Sequence, residues 1–177
     1  MKRNTIFVLF ALVFISLMMS TAMAQPVKKE VSGTQSGTTV ISFQELNDEG
    51  IYTQIATGSG TVTINIEGYS SPMILKTTSE ITLVINTKTD DGVIHFDMKF
   101  AKIVDDTEVG AFEGQVNGHT ITYAYAPNGY PIYPAQTESY IHGVLQGTGI
   151  YDGQKLALDG TRVIGKALTW EGILSST

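Results

Sequence analysis

The chain has 177 residues and no cysteine, and its 17 acidic against 11 basic side chains give a formal net charge of −6. The lack of cysteine excludes disulfides, thiolate metal sites and a cysteine nucleophile. Because no cluster of lysine or arginine overrides the acidic balance, nucleic acid and anionic membrane surfaces are disfavoured as partners.

The first 24 residues predict a secretory signal peptide. Residues 1–3 are a basic start, 6–19 are an apolar run, and 21–24 end in the small-x-small pattern that signal peptidases recognise. The run is shorter than the roughly 20 apolar residues needed to span a bilayer. We therefore expect a secreted protein, periplasmic or extracellular, with no stable membrane insertion after cleavage.

The rest of the chain divides into a leader and one domain. Residues 25–37 contain few apolar side chains and are predicted to be a flexible leader. From Thr38 to Thr177, short β-prone runs alternate with turn residues at intervals of roughly 8–12 residues, as in a sandwich or barrel. We expect this whole segment to be a single β domain.

Alternation along two segments predicts strands with one buried face. Residues 61–66 alternate polar with apolar, which places Val62, Ile64 and Ile66 together. Residues 93–104 alternate more strongly, and their predicted inner face holds Ile94, Phe96, Met98 and Phe100. Each such strand would lie half-buried against a common core.

Turn residues predict how the strands connect. Asp-Gly within 89–92 and Asn-Gly within 116–119 are typical of tight hairpins, where positive φ is needed. Sequential antiparallel strands follow, and no helical period interrupts them. The expected fold is all-β, a single antiparallel barrel of about eight strands, with a two-sheet β-sandwich as the alternative.

An aromatic, an acid and a glycine follow one another at three places, residues 112–114, 151–153 and 170–172. The glycines would let strands bend at barrel corners, with the aromatic facing the core and the acid facing solvent. The functional alternative points Glu113, Asp152 and Glu171 into a shared cavity as acid/base groups or polar anchors. Glu113 and Asp152 are the candidate catalytic residues.

Residues 147–151, followed by Gly153, read Gly-Thr-Gly-Ile-Tyr and then glycine. This segment resembles the glycine-threonine-glycine-x-aromatic signature of the allene oxide cyclase-like and dirigent-like barrel proteins, and residues 110–114 resemble a degenerate copy. The resemblance covers roughly residues 108–172. It implies an eight-stranded antiparallel barrel, often oligomeric, whose interior accommodates an apolar or phenolic small molecule. No catalytic residue of that family is carried over.

Five tyrosines are the candidate ligand-binding residues, because they lie within or beside a segment that contains three prolines. Prolines cannot continue a central strand, so a stiff loop is expected there. Such a loop could display tyrosines for stacking on sugar rings, or its tyrosines could pack back onto the barrel end. The five are Tyr123, Tyr125, Tyr130, Tyr133 and Tyr140.

Metal and cofactor sites find little support in the sequence. His95, His119 and His142 lack the close spacing of a metal-binding motif. The aspartates at 90–91 and 105–106 lack the ligand periodicity of a calcium loop and are expected to be solvated turns. We predict no metal and no cofactor.

The leading functional hypothesis is a secreted barrel that binds a small apolar or phenolic molecule, or a glycan, without transforming it. A second hypothesis is a barrel isomerase or cyclase, which requires Glu113 or Asp152 to line an internal cavity. A third is a structural or surface-interaction protein. Each is compatible with a homo-oligomer.

Overall fold

Eight antiparallel strands, taken in sequence order, close into one barrel in the computed structural model, which describes residues 26–132, 135–164 and 166–176. The strands are β1 (Val27–Leu46), β2 (Ile51–Ile66), β3 (Met73–Asn86), β4 (Asp91–Val104), β5 (Thr107–Thr122), β6 (Thr137–Gly149), β7 (Gln154–Arg162) and β8 (Leu168–Ser176). The predicted all-β antiparallel barrel of about eight strands is confirmed. Within those ranges no helix is long and apolar enough to cross a membrane. The predicted signal peptide lies outside the described residues.

The barrel closes where the first strand meets the last. β8 pairs with β1 from Val27 opposite Ser176 to Gln35 opposite Leu168. The prediction of a flexible leader over residues 25–37 is therefore wrong from Val27 onward, since this stretch is strand and the barrel begins there rather than at Thr38. Its low apolar content has a simple cause, because Val31 is the one residue of this stretch that is fully buried.

The predicted inner and outer faces of β4 are confirmed. Ile94, Phe96, Met98 and Phe100 are buried, whereas the residues between them lie on the outer wall. The same alternation places Val62 and Ile64 of β2 in the core. A period of two along each strand thus separates the filled interior from the wall that faces solvent.

One predicted hairpin turn is wrong. Asn117 and Gly118 lie in the middle of β5, opposite His142 and Ile141 of β6. A Cβ on Gly118 would overlap the carbonyl oxygen of Tyr140, so glycine is there because the backbones approach closely rather than because φ is positive. Among residues other than glycine, the left-handed positions fall on aspartates, which tolerate positive φ, in the predicted solvated turns. They are Asp90, Asp105 and Asp106.

Aromatic side chains fill the interior at its middle and at both ends. Trp170 of β8 and Phe100 of β4 lie on opposite sides of the eight-stranded ring, yet their ring centroids are 6.1 Å apart in an edge-on contact. At one end Phe112 stacks on Tyr151 at 4.6 Å. At the other end the ring of Tyr130 lies 5.2 Å from that of Tyr52. The barrel is therefore a packed core along its length.

Candidate functional site

A row of polar side chains crosses the outer wall at one level of the barrel. Each member lies directly opposite the next on the neighbouring strand, so the row follows the hydrogen-bonding direction through β4, β5, β6, β7, β8, β1 and β2. We call this row the polar belt; it consists of His95, Asn117, His142, Asp159, Glu171, Ser32 and Asn65. All seven are at least partly exposed.

Neighbours within the polar belt bind one another. His142 Nδ1 donates to Asp159 Oδ1 at 2.7 Å, and His95 Nδ1 donates to Asn117 Oδ1. Asp159 also lies opposite Glu171, which places two carboxylates side by side. Like charges opposite one another are unfavourable in a sheet, so this pair does not stabilise the wall.

A groove runs beside the polar belt across β5, β6 and β7. One wall is the belt segment 117, 142 and 159, and the other consists of Tyr140 and Thr161. The floor is the backbone of Gly118, Ile141 and Gly160, and the open groove has a volume of about 320 Å³. We call it the tyrosine groove. Two residues along a strand separate the two rows by roughly 6.6 Å from Cα to Cα.

Tyr140 is the aromatic member of the groove wall, and half of its surface, 50%, is exposed. Tyr123 lies further along the same outer wall and is 53% exposed. The Tyr123 hydroxyl donates to Glu138 at 3.0 Å, and this bond raises the pKa of Tyr123. The structure therefore brings two of the five candidate tyrosines to the same outer wall, with Glu138 between them.

Two further candidate tyrosines, Tyr125 and Tyr130, do not join this wall. Tyr125 donates its hydroxyl hydrogen to Asp90 Oδ1 at 2.7 Å, and Tyr130 packs on Tyr52 at the barrel end. Tyr130 thus follows the alternative in which the loop packs back onto the barrel. Tyr133 lies outside the described residues.

The Tyr125 contact makes stability depend on pH. Burial, followed by the hydrogen bond to Asp90, raises the pKa of Tyr125 from its ordinary 10.0 to about 12. Because the folded state holds this proton more tightly, the stabilisation is complete below pH 10 and is lost as pH rises toward 12. We expect the stability difference between wild type and Tyr125→Phe to narrow across that window, as measured by urea unfolding at each pH. A difference that stays constant would contradict this assignment.

The two candidate catalytic carboxylates lie outside the interior. Glu113 faces solvent on β5 and pairs with Lys99 at 2.9 Å, and its side chain is 47% exposed. Asp152 is exposed in the turn between β6 and β7, where it accepts a hydrogen bond from the Gly153 amide. Phe112 and Trp170 point into the core, and the acids that follow them, Glu113 and Glu171, are exposed. This is the arrangement in which the aromatic faces the core and the acid faces solvent. It does not supply the desolvated carboxylate that an isomerase or cyclase would need.

The histidines are spread over the outer wall. His119 lies 3.3 Å from Asp91, while His95 and His142 are separated by Asn117 in the polar belt. Across the described part of the chain, no three His, Cys, Asp or Glu side chains are grouped so that they could hold a metal ion.

Sequence reasoning missed the polar belt and the groove. Members such as Ser32, His95 and Glu171 are far apart in the chain, and only the strand registers bring them to one level. The available signal was alternation, which assigns each residue to the outer face without saying which outer residues are neighbours.

Comparison with known proteins adds no identification. No family model, no curated protein and no solved structure matches this chain. The fold implied by the resemblance to allene oxide cyclase-like and dirigent-like proteins is present, while membership of that family stays a prediction.

Proposed function

We propose that this protein is exported and binds a neutral glycan in the tyrosine groove, without a cofactor and without transforming it. One observation carries the proposal. The exposed ring of Tyr140 faces the hydrogen-bonded pair of His142 and Asp159 across a floor made of backbone.

The chemistry of the groove walls matches a sugar ring. Tyrosine offers an apolar face against which the C–H face of a pyranose can lie, and a polar tip. The Asp159 carboxylate accepts hydrogen bonds from hydroxyls, and the amide of Asn117 both donates and accepts. The net acidic charge of the chain disfavours sulfated or uronic glycans, which points to a neutral ligand.

The packed interior favours the outer wall over an internal ligand. Trp170 and Phe100 meet across the barrel, and the rings of Tyr130 and Tyr151 lie against aromatic partners at the two ends. An apolar or phenolic molecule would have to displace these side chains. For this reason we favour the glycan within the broader hypothesis of a small-molecule or glycan binder.

The proposal is tested with an array of immobilised neutral and acidic oligosaccharides probed with wild type and Tyr140→Ala. We expect wild type to select neutral structures and Tyr140→Ala to bind them roughly two- to ten-fold more weakly, because an aromatic contact contributes about 0.5–1.5 kcal/mol beyond its area. Tyr69→Ala is the matched control, since Tyr69 is 61% exposed in the turn between β2 and β3, away from the groove.

The array separates three outcomes. Loss of binding in Tyr140→Ala with retention in Tyr69→Ala supports the groove. Equal loss in both variants, or no loss in either, would remove Tyr140 from the site. Absence of any binding by wild type would reject glycan recognition itself.

A further inference from the structure

We propose that the second half of β1, residues 36–46, pairs edge to edge with the same segment of a second copy of this chain. On one side this segment pairs with β2. On the other side the ladder to β8 stops at Gln35 opposite Leu168, and within the described ranges no strand continues it. The segment therefore presents a row of backbone groups at an open edge.

The exposure of this segment agrees with its having a neighbouring strand, β2, on one side only. All ten residues from Ser36 to Glu45 are exposed, on both faces of the strand. Elsewhere in the barrel the strands alternate buried with exposed positions, as β3 and β6 do. The second half of β1 thus lies beside the barrel opening rather than over its core.

Several exposed side chains of this segment are large and apolar, a kind that proteins usually bury. Val40, Ile41 and Phe43 are 65%, 46% and 45% exposed, and Phe43 lies opposite Ile55, which is 44% exposed. A long edge with apolar side chains is a template for pairing with another strand, which proteins prevent with charges or proline. Residues 36–44 contain neither. A single bulge at Ser42 is the one irregularity along this edge.

The charge pattern lets two copies of this chain meet at this edge rather than elsewhere on their surfaces. This chain is acidic, so two copies repel each other across most of their surfaces. Residues 36–44 are an uncharged strip, and antiparallel pairing of the strip with itself places no like charges opposite one another. A two-fold axis through such a pair sets one residue opposite its own copy, the geometry of an isologous dimer.

The test measures mass in solution by sedimentation equilibrium, using protein without residues 1–24, which keeps the whole described barrel. Wild type is expected at twice the monomer mass. Val40→Lys and Ile41→Lys, which put a charge on each face of the edge, are expected at the monomer mass. Val93→Lys is the matched control, because Val93 is 61% exposed but lies on β4, which is paired on both sides; it is expected to remain a dimer.

Crosslinking then identifies the interface. Because the natural chain has no cysteine, a single cysteine placed in turn at positions 37 to 43 reports contact with its own copy. We expect a disulfide-linked dimer at one or two adjacent positions in this range and none with Val93→Cys. A monomeric wild type would overturn the proposal and leave the edge to a partner of another sequence. A dimer that survives both lysine substitutions, or that crosslinks at none of these positions, would also overturn it.

Discussion

Replacing Trp170 with alanine is expected to lower the free energy of unfolding by about 3–5 kcal/mol, the usual cost of emptying a buried aromatic site. Trp170 is 2% exposed and meets Phe100 from the opposite side of the barrel. Its neighbours in register are Gly33 and Gly160, which have no side chains to close the space. The measurement is urea unfolding followed by circular dichroism, because the substitution removes the one tryptophan of the chain.

Trp170→Phe is the control for this prediction. It keeps a ring against Phe100 and removes the indole N–H, which is buried without a hydrogen-bond partner in the described structure. We expect it to cost clearly less than the alanine variant. If Trp170→Ala lowered the unfolding free energy by less than about 1 kcal/mol, the site would have collapsed or the barrel would not be packed as described.

Adding a methyl group beside this tryptophan is expected to destabilise the barrel by about 1–3 kcal/mol through overpacking. A Cβ on Gly160 would lie 2.6 Å from Trp170 Cζ3 and 2.7 Å from Ile141 Cγ1. Gly160→Ala must therefore move either the indole or its own strand. Urea unfolding of the single variant measures this cost.

A double-mutant cycle decides whether the indole is the cause. In a Trp170→Ala background the added methyl group enters vacated space, so Gly160→Ala should cost much less there, with a coupling energy of about 0.5–3 kcal/mol. Equal cost in both backgrounds would show that the Ile141 side chain or the backbone at position 160, rather than the aromatic ring, requires glycine.

Much of the fold could be predicted because alternation depends on the face of a single strand. The inner face of β4 could be predicted in this way, whereas the turns at Asp90 and Asp105 were indicated by their turn-forming residue types. The start of β1 could not be predicted from alternation, because Gly33 and Gln35 occupy inward positions where apolar residues were expected. Asn117-Gly118 was wrongly predicted to be a hairpin turn, because the same dipeptide occurs in tight turns and where two strands approach closely.

The candidate site could be predicted only in part. The proline-containing segment indicated tyrosines as candidate ligand-binding residues, yet the four of them that the structure describes lie in different places. Tyr123 and Tyr140 lie on the outer wall, while Tyr130 packs against Tyr52 at the barrel end. The partners of Tyr140 across the groove, His142 and Asp159, depend on strand registers, which one sequence does not specify.

The two proposals concern different parts of the wall. The tyrosine groove lies on β5 to β7, and the open edge lies on β1, so pairing through the edge leaves both grooves free. A dimer would carry two grooves and bind a surface with repeated glycans more tightly than one groove alone, since the second contact is intramolecular. Each proposal nonetheless has its own test and can fail alone.

The central claim, a packed barrel whose ligand binds outside, is tested most directly by NMR chemical-shift mapping with the oligosaccharide that the array selects. We predict shifts for the amides of residues 117–119, 140–142 and 159–161 around the tyrosine groove, with unchanged methyl signals from Val62 and Leu83 in the interior. Shifts of those interior methyl groups, or of residues around Tyr52 and Tyr130 at the barrel end, would contradict the account and place the ligand inside.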